Sequence, residues 1–152
     1  MKKTASFLLA ALLLLAPLPS AGAVDVSASS AVLYAPDMAR LLFEKNARQR
    51  LPVASTTKIM TAILLCEAVP QDKKLVTTAE MVTVEGSSMG LKAGDTVNAQ
   101  ALLYGMLLAS GNDAANTAAC MVAGGLDKFA ALMNKKAKEL GMKDTHFVTP
   151  SG

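Results

Sequence analysis

The sequence has no tryptophan, one histidine and two cysteines, and aromatic residues make up only 4% of it. So few aromatic side chains argue against a surface on which single-stranded nucleic acid would stack. His146, Cys66 and Cys120 cannot supply the four ligands of a structural zinc site. The ligand count therefore excludes such a site, and we expect neither a metal nor a cofactor.

An excess of charge of one sign is also lacking. The chain has 15 Lys and Arg against 12 Asp and Glu, a formal net charge of +3. Two of the basic residues, Lys2 and Lys3, stand at the extreme N-terminus, and without them 13 basic residues face 12 acidic ones. Because the rest of the chain is nearly neutral, we expect no nucleic-acid partner.

The first 23 residues have the composition of a cleaved signal peptide. A basic start is followed by a Leu-rich run over residues 7–16 and by Ala21-Gly22-Ala23, which matches a signal-peptidase site. No later apolar run approaches the roughly 20 residues of a membrane helix. We predict export, with residues 1–23 removed and residues 24–152 left as a chain of about one domain's length.

An exported protein can form a disulfide between Cys66 and Cys120. Both cysteines, however, lie in apolar stretches that are predicted to be helical, where free cysteine is commonly a small buried hydrophobic residue. This second interpretation is favoured, and the pairing stays open.

The order of the apolar segments predicts an α+β protein. Residues 29–34 and 39–44 are short apolar runs separated by a Pro-containing turn, which predicts a β-hairpin. From residue 55 onward helical patterns dominate, whereas the Thr-, Ser- and Gly-rich residues 76–95 are typical of loops. The segment 58–68 is apolar on nearly all sides, so we expect a central buried helix that ends before Pro70. Further helices are predicted over residues 99–108, with Asn98 as N-cap, over 113–122, and over 126–140, with Gly141 as the stop.

A Ser-x-x-Lys motif stands at the start of the predicted central helix. The spacing places the Ser55 hydroxyl and the Lys58 amine on one helix face, and a lysine kept neutral by burial can activate a serine nucleophile. A helix N-terminus also stabilises an oxyanion. The alternative is a capping serine followed by an exposed lysine, but the apolar residues on both sides of Lys58 favour a buried position.

A second motif, Ser110-Gly111-Asn112, lies between two predicted helices. It can be explained as the cap of one helix and the start of the next. It can also supply a hydroxyl that relays a proton and a carboxamide that binds a substrate peptide bond. Together the two motifs offer complementary chemistry.

These motifs and their surroundings resemble serine-type D-Ala-D-Ala carboxypeptidases, the low-molecular-weight penicillin-binding proteins. The resemblance runs from about Ser29 to the last residue and is carried by residues 51–61, 91–95, 102–105 and 110–115. It implies a β-lactamase/DD-peptidase-like fold, represented here by an N-terminal hairpin of the sheet and a mostly helical subdomain. The family's Lys-Thr-Gly motif does not occur in this sequence. We therefore expect residues 24–152 to be an incomplete catalytic domain that is inactive by itself.

The resemblance also implies a role for each motif residue. Ser55 would be the acylated nucleophile, Lys58 its base, Ser110 a proton relay to the leaving D-alanine, and Asn112 a substrate-binding residue. The partners would be peptidoglycan stem peptides ending in D-Ala-D-Ala, with β-lactam antibiotics as covalent inhibitors. The implied location is the periplasm or the outer face of the cytoplasmic membrane, and the family pattern allows a membrane anchor after residue 152.

Two other functions stay open. Class A type β-lactamases share the Ser-x-x-Lys motif, but they typically carry Asp at the position of Gly111. A non-catalytic envelope protein could keep the same fold and bind penicillin or peptidoglycan without turnover.

Overall fold

The computed structural model describes residues 24–152, so the predicted signal peptide lies outside the described residues. Contacts divide the chain into two units, one ending at Gln49 and the other running from Arg50 to Gly152. The strands are β1 (Ala31–Ala35), β2 (Arg40–Lys45), β3 (Lys74–Val76) and β4 (Thr96–Asn98). The helices are α1 (Lys58–Ala68), α2 (Ala79–Val82), α3 (Ala99–Leu108), α4 (Asn112–Ala123) and α5 (Leu126–Glu139).

The first unit is the predicted hairpin. Strands β1 and β2 pair antiparallel from Ala31 opposite Lys45 to Ala35 opposite Arg40. A short 3-10 turn joins them, and Pro36 at its first position has the fixed φ that such a turn needs. The hairpin prediction is confirmed, with boundaries within two residues.

The second unit is mostly helical, and its larger helices begin and end where the sequence predicts. The Asn98 side chain accepts a hydrogen bond from the Ala101 N–H at 2.8 Å and so caps α3. Helix α4 ends at Gly124, whose φ of 71° gives the left-handed conformation common after a helix. Together with the two small antiparallel sheets, these helices confirm the α+β prediction.

Two apolar clusters hold the helices together, and both contain residues of α1 and α4. Helix α4 is rich in alanine, and its small side chains allow neighbouring helices to approach closely. One cluster joins α1, α3, α4 and β4, and it includes Leu65, Val97, Leu102, Met106 and Ala118. The other joins α1, α4 and α5, and it includes Met60, Leu64, Ala119, Phe129 and Met133.

The prediction that α1 is buried nearly all round is wrong within residues 24–152. Ile59 is 57% exposed and Ile63 is 36% exposed. Together with Leu103 and Leu107 of α3, they line an apolar groove on the surface of this unit. Helix α1 therefore has two apolar faces, one buried in the core and one exposed on the surface of this unit.

The loop predicted over residues 76–95 contains more regular structure than expected. Strands β3 and β4 flank it and pair antiparallel, with Leu75 opposite Val97, and α2 lies between them. Each strand has only three residues, too few for an alternating pattern to be visible in the sequence. The buried side chain of Val97 anchors this small sheet to the core.

Both cysteines are free thiols in the structure. Cys66 lies on the uncovered face of α1, so the interpretation that both are buried is wrong for Cys66. Cys120 is partly buried, and burial together with the nearby negative charge of Glu80 raises the pKa of its thiol. None of the helices within residues 24–152 combines the length and hydropathy of a membrane-spanning segment.

Candidate active site

Ser55 lies in a 3-10 turn, residues Ala54–Thr57, that leads directly into α1. Its side chain is exposed, so a substrate can reach the hydroxyl. The preceding residue, Ala54, has a φ of 45°, a left-handed conformation that is unfavourable for a residue with a Cβ. Such local strain is often found at functional sites, where it fixes a side chain in an otherwise uncommon position.

Lys58, the first residue of α1, is only 1% exposed. Its Nζ donates hydrogen bonds to the Ser55 Oγ at 3.2 Å and to the Ser151 carbonyl oxygen at 3.0 Å. Both acceptors are neutral, and burial lowers the pKa of the Lys58 amine from its usual value of 10.5. The expected burial of Lys58 is confirmed, and the alternative of an exposed lysine beside a capping serine does not fit the geometry.

The Ser151 carbonyl reaches Lys58 because residues 149–152 run alongside α1. The Thr61 hydroxyl donates to the Pro150 carbonyl at 2.7 Å, and Thr61 is fully buried. This backbone acceptor was missed in the sequence analysis, because a main-chain carbonyl leaves no signal in the sequence.

Ser110 occupies the break between α3 and α4. Its hydroxyl donates to the Ser55 Oγ at 2.9 Å, across a separation of 55 residues in the chain. Its φ of 53° is again left-handed, and the following Gly111 N–H binds the Gly105 carbonyl at 2.9 Å. The structure thus links Ser55, Lys58 and Ser110 by direct hydrogen bonds.

Asn112, the fourth predicted site residue, makes its hydrogen bonds to a loop, whereas Lys58 and Ser110 make theirs to Ser55. Its side-chain Nδ2 donates to the Glu85 carbonyl at 2.7 Å, and its backbone N–H donates to the Ser87 carbonyl at 2.8 Å. The N-cap residue of α4 is Gly111, which has no side chain, and Asn112 is the first residue of the helix. Its carboxamide is therefore held by the loop that contains Glu85 and Ser87.

Asp113 is a site residue that sequence reasoning missed. Its carboxylate is fully buried, and the Ser88 hydroxyl donates to it at 2.6 Å. Burial alone would raise the pKa of this carboxyl, but hydrogen bonds from Ser88 and from backbone N–H groups outweigh it and hold the pKa below the ordinary value. The backbone donors are the N–H groups of Met89, Gly90, Leu91 and Ala114, at 2.9 to 3.0 Å.

Comparison with known proteins identifies the family. Residues 18–152 match the sequence profile of the D-alanyl-D-alanine carboxypeptidases, peptidase S11. The chain belongs to this family. Relatives include D-alanyl-D-alanine carboxypeptidase DacF of Bacillus subtilis, which is 39% identical in an alignment 166 residues long. This alignment covers 100% of this chain and 43% of the relative. DacC of Escherichia coli is also 39% identical, over 86% of this chain and 35% of its own length. The chain thus spans less than half the length of these S11 relatives.

Solved structures of a carboxypeptidase and a penicillin-binding protein share the fold. The D-alanyl-D-alanine carboxypeptidase from Mycobacterium tuberculosis H37Rv has a TM-score of 0.80 and 36% identity, covering 90% of this chain and 51% of that one. Penicillin-binding protein D2 from Listeria monocytogenes, in its ampicillin-bound form, has a TM-score of 0.75 and 34% identity, covering 87% of this chain and 55% of that one. The expected DD-peptidase-like fold is confirmed.

The candidate site within residues 24–152 offers hydroxyl, amine, carboxamide and carboxylate groups. In this part of the chain no three His, Cys, Asp or Glu side chains come together as ligands for a metal ion. The arrangement of an exposed hydroxyl between a buried amine and a second hydroxyl is suited to nucleophilic attack and proton transfer.

Proposed function

We propose that this chain forms the nucleophile-bearing, N-terminal part of the catalytic domain of a serine-type D-Ala-D-Ala carboxypeptidase. The enzyme would remove the terminal D-alanine from peptidoglycan stem peptides. The observation that carries the proposal is the position of the Ser55 hydroxyl, 3.2 Å from the Lys58 Nζ and 2.9 Å from the Ser110 Oγ.

The first step is acylation of Ser55. A neutral Lys58 amine has one lone pair and two N–H groups; one N–H stays on the Ser151 carbonyl, while the lone pair takes the Ser55 proton. The Ser55 oxygen then attacks the carbonyl carbon of the penultimate D-alanine. The resulting oxyanion forms near the N-terminus of α1, where the Ser55 N–H and the helix dipole stabilise negative charge.

Collapse of the tetrahedral intermediate breaks the C–N bond to the terminal D-alanine. The proton held by Lys58 passes through the Ser110 hydroxyl to the leaving nitrogen, since both groups contact Ser55. Water then hydrolyses the ester and restores the Ser55 hydroxyl. Asn112 binds the substrate backbone through its carboxamide.

A β-lactam is opened by the same attack and stays on Ser55 as an acyl group. The ampicillin-bound form of the Listeria protein, 34% identical to this chain, supports penicillin binding here. The substrate and the composition of residues 1–23 both favour a location in the cell envelope, reached through a cleaved signal peptide.

The β-lactamase alternative is disfavoured by the surroundings of Gly111. A Cβ at this position would lie 2.8 Å from the Asp113 Oδ1 and 3.0 Å from the Met89 nitrogen. An aspartate in place of Gly111, as class A enzymes typically have, would therefore crowd the Asp113 carboxylate and the Met89 backbone.

The test uses the complete protein that contains this chain. Labelled penicillin should add its mass to the peptide containing Ser55, and a D-Ala-D-Ala-terminated pentapeptide should release D-alanine. Ser55→Ala should abolish both, whereas Thr96→Ala, which removes an exposed hydroxyl on β4, should keep both.

Other outcomes identify the competing functions. Folded protein without label on Ser55 would overturn the proposal. Stable label without release of D-alanine would indicate a non-catalytic binding protein, and rapid penicillin hydrolysis without release of D-alanine would indicate a β-lactamase.

A further inference from the structure

Residues 85–91, named here the 85–91 loop, are joined to the start of α4 by two groups of hydrogen bonds. In the first group, two loop carbonyls accept hydrogen bonds from Asn112. The Glu85 carbonyl accepts from the Asn112 side chain, and the Ser87 carbonyl accepts from the Asn112 backbone N–H. In the second group, loop donors converge on the Asp113 carboxylate. Two adjacent residues of α4 therefore hold the loop, one as donor and the other as acceptor.

We propose that Asp113 is a positioning residue for the reaction: its carboxylate holds the 85–91 loop in place, and the loop in turn orients the Asn112 carboxamide toward the substrate. This inference rests on the proposed function and assigns to Asp113 a role in the same site.

The first step of the argument is that the loop depends on a charged acceptor. Four loop donors, the Ser88 hydroxyl and the N–H groups of Met89, Gly90 and Leu91, point at one buried carboxylate. An ionised carboxylate has two oxygens and only accepts, so it can satisfy all of these donors. The substitution Asp113→Asn would turn an NH2 group toward one side of this cluster and leave the loop donors on that side without an acceptor.

The second step is that the loop determines which way the Asn112 amide points. The Glu85 carbonyl can only accept, so it must face the Nδ2 of Asn112, at 2.7 Å. This contact fixes the plane of the carboxamide and directs the Oδ1 away from the loop. If the loop moves, the amide can rotate, and a misplacement of a substrate-binding group by about 1 Å can slow a reaction about 100-fold.

The third step is the close packing of loop and motif around Gly111. The small distances from a Cβ at Gly111 to Met89 and Asp113 mean that the loop backbone lies directly against the Ser110–Asn112 segment. A loosened loop therefore changes the surroundings of Asn112, although the loop itself makes none of the described hydrogen bonds to Lys58.

The experiment is a double-mutant cycle on the complete protein, with kcat/KM for D-alanine release as the measured quantity. Asp113→Asn should lower kcat/KM by about 10- to 100-fold. In an Asn112→Ala background the same substitution should change kcat/KM by less than about threefold, because the group it positions is already gone. Asp95→Asn is the matched control, since the Asp95 carboxylate also accepts a backbone N–H, that of Lys92 just after the 85–91 loop, but is exposed.

A structural role alone would predict a different result. If Asp113→Asn merely unfolded part of the protein, kcat/KM would fall by the same factor in both backgrounds. That additive result would overturn the inference, as would unchanged kcat/KM in the single variant. A failure of the proposed function is distinguishable, because the unsubstituted protein would then release no D-alanine.

A second measurement follows the loop directly. Hydrogen exchange at the N–H groups of Met89, Gly90 and Leu91 should be about 10-fold faster or more in Asp113→Asn than in the unsubstituted protein, and unchanged in Asp95→Asn. Equal exchange rates in Asp113→Asn and the unsubstituted protein would show that the carboxylate does not hold the loop.

Discussion

Replacing Lys58 with alanine tests the central contact of the proposed mechanism. The Ser55 hydroxyl has two hydrogen-bonded side-chain neighbours, the Lys58 amine and the Ser110 hydroxyl. Of these, only the Lys58 amine is a base, and burial lowers its pKa and so favours the neutral form. Lys58→Ala therefore removes the base and leaves a neighbour that is not basic.

The expected loss follows from the contribution of a general base. Positioned acid or base groups contribute about 10²- to 10⁴-fold to a rate. Since Ser110 cannot replace the base, we expect the upper part of that range, about 10³- to 10⁴-fold slower acylation. At about 1.36 kcal/mol for each factor of ten, this corresponds to about 4 to 5.5 kcal/mol of activation free energy.

The assay is the second-order rate of Ser55 acylation by a fluorescent penicillin in the complete protein, with circular dichroism as the check on folding. In the unsubstituted protein this rate should rise with pH as Lys58 loses its proton, with a midpoint below 10.5, and Lys58→Ala should lose this dependence. Lys58→Arg should not restore the rate, because a guanidinium stays charged. Lys138→Ala, on the exposed side of α5, is the control. An unchanged acylation rate in folded Lys58→Ala would remove Lys58 from the mechanism.

Three further predictions concern the stability of the complete protein. The pKa of Lys58 is lower in the folded than in the unfolded chain, so the folded state binds fewer protons between these pKa values. The free energy of unfolding should thus rise with pH up to about 10.5, and urea titrations of Lys58→Met should lack this rise. An equal rise with pH in Lys58→Met and in the unsubstituted protein would contradict the lowered pKa of Lys58. Phe129→Ala should lower the free energy of unfolding by about 3 to 5 kcal/mol, because the ring is fully buried between helices; a loss below about 1 kcal/mol would mean that the cavity collapses. Among the described residues the buried Thr117 hydroxyl has no hydrogen-bond partner, so Thr117→Val should raise this free energy by about 1 kcal/mol, and a clear decrease would indicate a bound water.

The nucleophile and its base could be predicted from the sequence because they are three residues apart on a turn that leads into a helix. Local geometry brings the Ser55 and Lys58 side chains together, and the apolar neighbours of Lys58 indicate its burial. The helices were predictable for a similar reason, since their caps and their 3.6-residue pattern are local features.

The contacts between the 85–91 loop and the start of α4 could not be predicted in this way. The loop donors to Asp113 come from residues 22 to 25 positions earlier in the chain, and most of them are backbone N–H groups that any residue type would provide. The Ser151 carbonyl near Lys58 lies 93 positions away and is equally without a sequence signal. The exposed face of α1 was missed because apolar composition does not distinguish a buried face from an exposed one.

The convergence of three consecutive N–H groups on one carboxylate has a consequence for how this segment can evolve. An insertion between Ser88 and Leu91 would move at least one N–H away from Asp113, and a deletion would pull the loop off the start of α4. Substitutions would be tolerated far better, since the contacts are made by the main chain. Homologous sequences should therefore keep the length of this stretch even where its residues differ, and changes in length should accumulate nearer α2 or around Gly94.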